Sequence, residues 1–124
     1  MLQVEYLHLC DYAFKAEGGK PGIIGIFDNV TAPAFPMKQP YMAVAMQLRG
    51  EPNRLTPITM ELKGPGGQAV GALNAEGHTG NDGGKFVVLN LISITFPEAG
   101  MYTLTVSSLG TVLAMTSLTL VQTP

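Results

Sequence analysis

Gly100-Met101-Tyr102-Thr103-Leu104-Thr105-Val106-Ser107 is the stretch whose reading decides the fold class. Tyr102, Leu104 and Val106 alternate with Thr103, Thr105 and Ser107, so one face is apolar and the other carries hydroxyls. A helix would spread the same residues around its circumference. Pro97-Glu98-Ala99 precedes the run and Ser108-Leu109-Gly110-Thr111 follows it as a hairpin turn.

The same pattern continues outward in both directions. Residues 112–121 read as a strand with Val112, Ala114, Leu118 and Leu120 in phase, leaving Leu113 and Met115 on its other face. Residues 86–96 put Phe86, Val88, Ile92, Ile94 and Phe96 on one face and Val87, Leu89 and Leu91 on the other. β-Branched and aromatic residues make this a strand, either central or covered by a partner. Ile58, Met60 and Leu62 alternate with polar neighbours, as do Met42, Val44, Met46 and Leu48 with smaller or polar ones. Residues 68–73 form a short strand. Residues 4–10 form a first strand with Val4, Tyr6, His8 and Cys10 on one face, and residues 23–30 are apolar on both sides, as in a central strand.

Residues 11–16 read as loop. Residues 31–40 hold Pro33, Pro36 and Pro40 and read as loop. Residues 74–85, with four glycines, form the longest irregular stretch. About eight strands at short spacing predict an all-β, two-sheet antiparallel β-sandwich, one domain over residues 1–124. Gly100 two residues before Tyr102, at the entry to a late strand, matches the tyrosine corner of immunoglobulin-like sandwiches. The disulfide and core Trp of antibody domains are missing, since the chain has one Cys and no Trp.

Charged residues are only 13% of the 124, against about 25% in an ordinary soluble domain. Little charge is available to coat the exterior, so apolar surface is expected to meet another chain. The net charge is −2 and the seven Lys and Arg are scattered. This argues against nucleic acid and against an anionic membrane, both of which need clustered basic residues. The lone Cys10 suits a reducing compartment, and Met1-Leu2-Gln3-Val4-Glu5 has neither the basic nor the apolar region of a secretory signal. A cytoplasmic protein is expected.

Val4-Glu5-Tyr6, Leu9-Cys10-Asp11-Tyr12-Ala13, Gly19-Lys20 and Ile23-Ile24-Gly25-Ile26-Phe27-Asp28 together resemble the opening of a family of short bacterial proteins of unknown function. Gly100-Met101-Tyr102 and Gly110-Thr111-Val112-Leu113-Ala114 are similar to that family's C-terminal half. The resemblance implies a bacterial, cytoplasmic β-sandwich with no known reaction, and it carries no catalytic residues.

Candidate sites are few. Asp11, Tyr12, Asp28 and Asn29 lie at strand ends, but two Asp and one Asn are too few oxygens for Ca²⁺. His8 and Cys10 share a strand face, yet no orienting group or oxyanion hole accompanies them. Residues 77–85 lack the spacing of a phosphate loop, because Lys85 is followed by Phe86 and a strand rather than a helix. No metal, no cofactor and no catalytic residue are therefore expected. The candidate binding residues are His78, Asn81 and Asp82 in the Gly-rich loop and Phe35 and Met37 in the Pro-rich loop. The candidate interface residues are Leu89, Leu91, Leu113 and Met115. The expectation is a non-enzymatic binding or assembly module that self-associates or docks a protein partner. The alternative is a small-molecule or carbohydrate site formed by loops 31–40 and 74–85.

Overall fold

The computed structural model describes residues 2–124. Among them nine strands form: β1 (Gln3–Lys15), β2 (Pro21–Phe27), β3 (Asn29–Ala32), β4 (Met37–Arg49), β5 (Leu55–Lys63), β6 (Ala69–His78), β7 (Gly84–Phe96), β8 (Gly100–Ser108) and β9 (Thr111–Gln122). They make a four-stranded sheet, β2-β1-β4-β7, packed on a five-stranded sheet, β3-β9-β8-β5-β6. All pairings are antiparallel except β3 with β9, which run parallel from Asn29↔Thr119 to Ala32↔Gln122. The all-β sandwich is as expected, with nine strands rather than about eight.

Met42, Val44, Met46 and Leu48 face Ile58, Met60, Leu62, Leu104, Val106, Leu118 and Leu120 across the gap between the sheets, and all are buried. Tyr102 is fully buried and edge-on to Phe96, with ring centroids 5.1 Å apart at 89°. Its hydroxyl donates to the Glu98 carbonyl at 2.6 Å and accepts from the Glu98 amide at 3.3 Å. Gly100 has φ +135°, and a Cβ there would strike the Pro65 ring. The tyrosine corner read from Gly100 and Tyr102 is therefore formed. The turn after β8 has Leu109 at φ 51° and Gly110 at φ 81°, as a two-residue type I′ hairpin requires.

Several boundaries differ from the sequence reading. The expected loop 11–16 is largely strand, because β1 continues to Lys15 in a hairpin with β2. Residues 23–30 are not one central strand: β2 is the sheet's edge and breaks at Asp28, and β3 joins the other sheet. Loop 31–40 shrinks to residues 33–36, since β4 starts at Met37. Pro40 is tolerated because the β4–β7 ladder skips it, and β1 pairs with β4 only as far as Ala43. Loop 74–85 shrinks to residues 79–83.

Three irregularities re-aim side chains. The β1–β4 register shifts between Val4 and Tyr6, so Val4, Leu7 and Leu9 pack on the inter-sheet core while Tyr6 and Cys10 belong to the outer face. Ser93 adopts φ 56°, and inward phase passes from Val87, Leu89 and Leu91 to Ile94 and Phe96. The β8–β9 register shifts between Val106 and Ser107, leaving Leu113 as the extra residue and turning it onto the core. Leu91 is thus 3% exposed, and Leu89 and Leu113 are half-buried against the same core. The expected interface role of these three fails, because their side chains fill the sandwich.

Candidate interaction surface

The β1–β2 hairpin builds a third layer. Beyond Cys10↔Ala43, β1 leaves β4 and keeps pairing with β2 up to Lys15↔Pro21. The hairpin tip, at Lys15, Gly19 and Pro21, lies in a cleft with Gln47, Gly84 and Phe86. It therefore folds back along the outer face of the four-stranded sheet instead of running on past Met37. Ala13 and Ile23, a cross-strand pair, pack against Cys10, Ala43, Ala45 and Phe86. Ala43 and Ala45 are fully buried on a face that would otherwise be wet, and their small side chains leave room for the flap. Gly25, at φ +72°, sits opposite Asp11, whose carboxylate occupies the space a Cβ would take. Phe14 likewise fills the space left by Gly22.

The outward side of this layer is apolar. Ile92 pairs with Tyr41 in the β4–β7 register. The Tyr41 and Tyr12 rings are 5.9 Å apart, and Tyr12 pairs with Ile24. One side chain from each strand thus forms a row that runs from the uncovered part of the sheet, Ile92 and Tyr41, onto the flap, Tyr12 and Ile24. Ile92 is 68% exposed, Tyr12 61% and Ile24 55%, and Ile26 on the same edge strand is also exposed. Tyr41 is held by its hydroxyl donating to Asn90 Oδ1 at 2.8 Å. β2, from Pro21 to Phe27, contains no charged residue. The outer face of β8 and β9 differs: Thr103, Thr105 and Ser107 face Ser117, Met115 and Val112, so hydroxyls interrupt the apolar groups.

The residues marked from sequence do not converge. Phe35 and Met37 are half-buried and plug the core at one end of the sandwich. His78, Asn81 and Asp82 lie at the other end. Met37 pairs with Phe96 and Arg49 with Gly84 at opposite ends of the 13-residue β4, so the two loops are separated by about 40 Å. Loops 31–40 and 74–85 cannot form one site. Met115 is exposed on β9, away from the apolar row. His78 and Asp82 line the cleft beside the hairpin tip, whereas Asn81 does not.

Cys10 is sealed beneath the flap, its thiol donating to the Ala43 carbonyl at 3.7 Å. Burial, and then the nearby Asp11 charge, push the thiol up from its ordinary value, so it is a poor nucleophile. His8 stacks on Tyr6 at 5.4 Å. Asp28 accepts from the Asn29 amide, and its carbonyl accepts from the Thr119 amide. A second cleft, about 390 Å³, opens at one sandwich end beside Leu55 and Leu109. Its two buried hydroxyls are satisfied: Thr79 donates to the Glu51 carbonyl at 2.6 Å and Ser108 to the Pro57 carbonyl at 2.6 Å. Among the described residues no helix is long and apolar enough to cross a membrane.

The sequence profile of a family of unknown function, DUF6941, matches residues 5–121. The chain belongs to DUF6941. The family assignment agrees with the resemblance carried by the N-terminal motifs. Comparison of the DUF6941 chain with the curated proteins gives no match. Among solved structures it is similar to the crystal structure of an immunoglobulin-like protein from Pseudomonas aeruginosa, with 17% identity and a TM-score of 0.53. That match covers 97% of this chain and 96% of the other. The shared property is the immunoglobulin-like fold.

Proposed function

We propose that this DUF6941 chain is a non-enzymatic assembly module, cytoplasmic, that joins a second copy of itself through the apolar row running from β7 and β4 onto its β1–β2 flap. The observation that carries this reading is the row Ile92-Tyr41-Tyr12-Ile24, three of whose members are more than half exposed. An uncharged apolar row is complementary to itself, as a two-fold contact requires. A charged patch would bring like charges together across the same axis. The row also ends at an edge strand free of the charges that usually guard edges. The single buried, free cysteine supports a reducing compartment.

Light scattering after size exclusion, at two concentrations, tests it. The expected mass is twice the 13.1 kDa of one chain. Ile24→Lys is expected to return the mass to that of a single chain, because it places two lysines in a contact of about 800 Å² per partner. A wild-type monomer at both concentrations overturns the proposal. In that case, capture of a different protein by wild type but not by Ile24→Lys assigns the same face to another partner.

A further inference from the structure

The cleft beside the hairpin tip holds an arrangement that self-association does not use. It is about 520 Å³, within the usual range for small-molecule sites, and is lined by Lys15, Gln47, His78, Asp82, Lys85 and Phe86 among others. Lys15 comes from the end of β1 and Lys85 from the start of β7, far apart in sequence. The back-folded hairpin brings both side chains to the lining of one cleft. The neighbouring Lys15 side chain, and then some burial, holds the pKa of the Lys85 ammonium below its ordinary value. Among the described residues neither lysine has a carboxylate in an ion pair: Arg49 takes Glu5, Arg54 takes Glu51 and Lys63 takes Glu61.

Asp82 is the acid lining this cleft, and its part is different. Its Oδ1 accepts the Gly84 amide at 2.9 Å and shapes the β6–β7 turn, while its carbonyl accepts from Arg49 at 3.4 Å. Among the described residues its other oxygen accepts no hydrogen bond. Gly84 keeps this floor open, since a Cβ there would lie 3.3 Å from both the Asp82 carboxylate and the Gln47 amide.

We propose that this cleft binds a phosphorylated, hydroxyl-bearing small molecule of the sugar-phosphate class, its phosphate between Lys15 and Lys85 and its hydroxyls on Asp82 and Gln47. Two ammonium groups lining one cleft, neither in an ion pair among the described residues, repel each other and become favourable around a dianion. Lysines act as point charges suited to a compact phosphate. Hydroxyl groups match the carboxylate and amide on the opposite wall. The site lies at the flap tip, and the proposal holds for monomer and dimer alike.

The test is amide-shift titration of the isotope-labelled full chain with ribose 5-phosphate, ribose and inorganic phosphate, each to about 10 mM, a limit that reaches millimolar affinities. Ribose 5-phosphate is expected to give saturable shifts at Lys15, Gly84 and Lys85. Inorganic phosphate is expected to bind more weakly, and ribose to give no shift. The Lys15→Gln/Lys85→Gln double variant is expected to bind ribose 5-phosphate at least about tenfold more weakly. Both lysines have solvent-accessible side chains, so the variant should keep the wild-type circular dichroism and melting curve. The proposal is overturned if ribose 5-phosphate gives no saturable shift, if the double variant binds as tightly as wild type, or if inorganic phosphate or ribose binds as tightly as the sugar phosphate.

Discussion

Tyr102→Phe isolates the tyrosine corner from the core around it. The ring stays, so its packing on Phe96 is kept and no cavity opens. What is lost is a 2.6 Å hydrogen bond to the Glu98 carbonyl and a longer one, 3.3 Å, from the Glu98 amide. A neutral hydrogen bond contributes about 0.5–1.5 kcal/mol net, and the long one belongs at the low end. Glu98 is exposed, so water can reach its backbone and no full desolvation penalty is added. The expected loss is about 1.5 kcal/mol. With a urea m-value of about 1.5 kcal/mol/M for a domain of this size, the midpoint should fall by about 1 M. The melting temperature should fall by about 6 °C. Tyr102→Ala adds the missing ring and should cost about 4 kcal/mol. Urea unfolding followed by circular dichroism measures both variants. A Tyr102→Phe midpoint within about 0.2 M of wild type, at unchanged m, would refute the view that the hydroxyl fixes this corner.

The flap makes Cys10 a reporter. In wild type it should react with a thiol reagent only as fast as the hairpin opens, whereas Gly25→Ala, which drives a Cβ into the Asp11 carboxylate, should speed labelling at least about tenfold. Equal rates would mean that the hairpin is not what seals the thiol. Thr79→Val keeps the volume but strips the hydroxyl that accepts from the Arg54 amide at 2.8 Å and donates to the Glu51 carbonyl, and should cost about 2–3 kcal/mol, mostly restored by Thr79→Ser. Because burial holds the Cys10 thiol above its ordinary 9.0, its neutral form stabilises the fold fully below that pH, and this contribution declines as pH rises through 9. Unfolding free energy measured from pH 8 to 10 should therefore fall less steeply in Cys10→Ala than in wild type.

The fold class was legible because its signals are local. Alternation along residues 102–107 and the Gly100–Tyr102 spacing need no knowledge of distant partners. The facing of individual residues was not legible where one residue breaks the period. Ser93 at φ 56° looks like any strand serine in the sequence, yet it moves Leu91 and Ile94 onto the same side. The bulge beside Ser107 does the same for Leu113. The flap left a faint trace, Ala43 and Ala45 alternating with large core residues, which also fits a bare outer face. Of the cleft, His78 and Asp82 stood out from the Gly-rich loop, but Lys85 fails the spacing of a phosphate loop and Lys15 reads as one more scattered charge. Only the back-folding of the hairpin, a long-range event set at Gly25 and Asp11, brings them together.

The β3–β9 pair gives the chain a mechanical direction. β9 ends at Gln122, alongside Ala32 at the end of β3, and the Thr123 amide still donates to the Ala32 carbonyl at 3.0 Å. The two strands point the same way, and β3 is anchored at its start through Asp28, whose carbonyl takes the Thr119 amide at 2.9 Å. Tension between Pro124 and the β2 edge therefore pulls along the strands, across their hydrogen bonds. The bonds share the load and must fail together, where a hairpin pulled from its open end would release them one at a time. A tether fixed to the C-terminus would pull on the strongest direction of the sandwich.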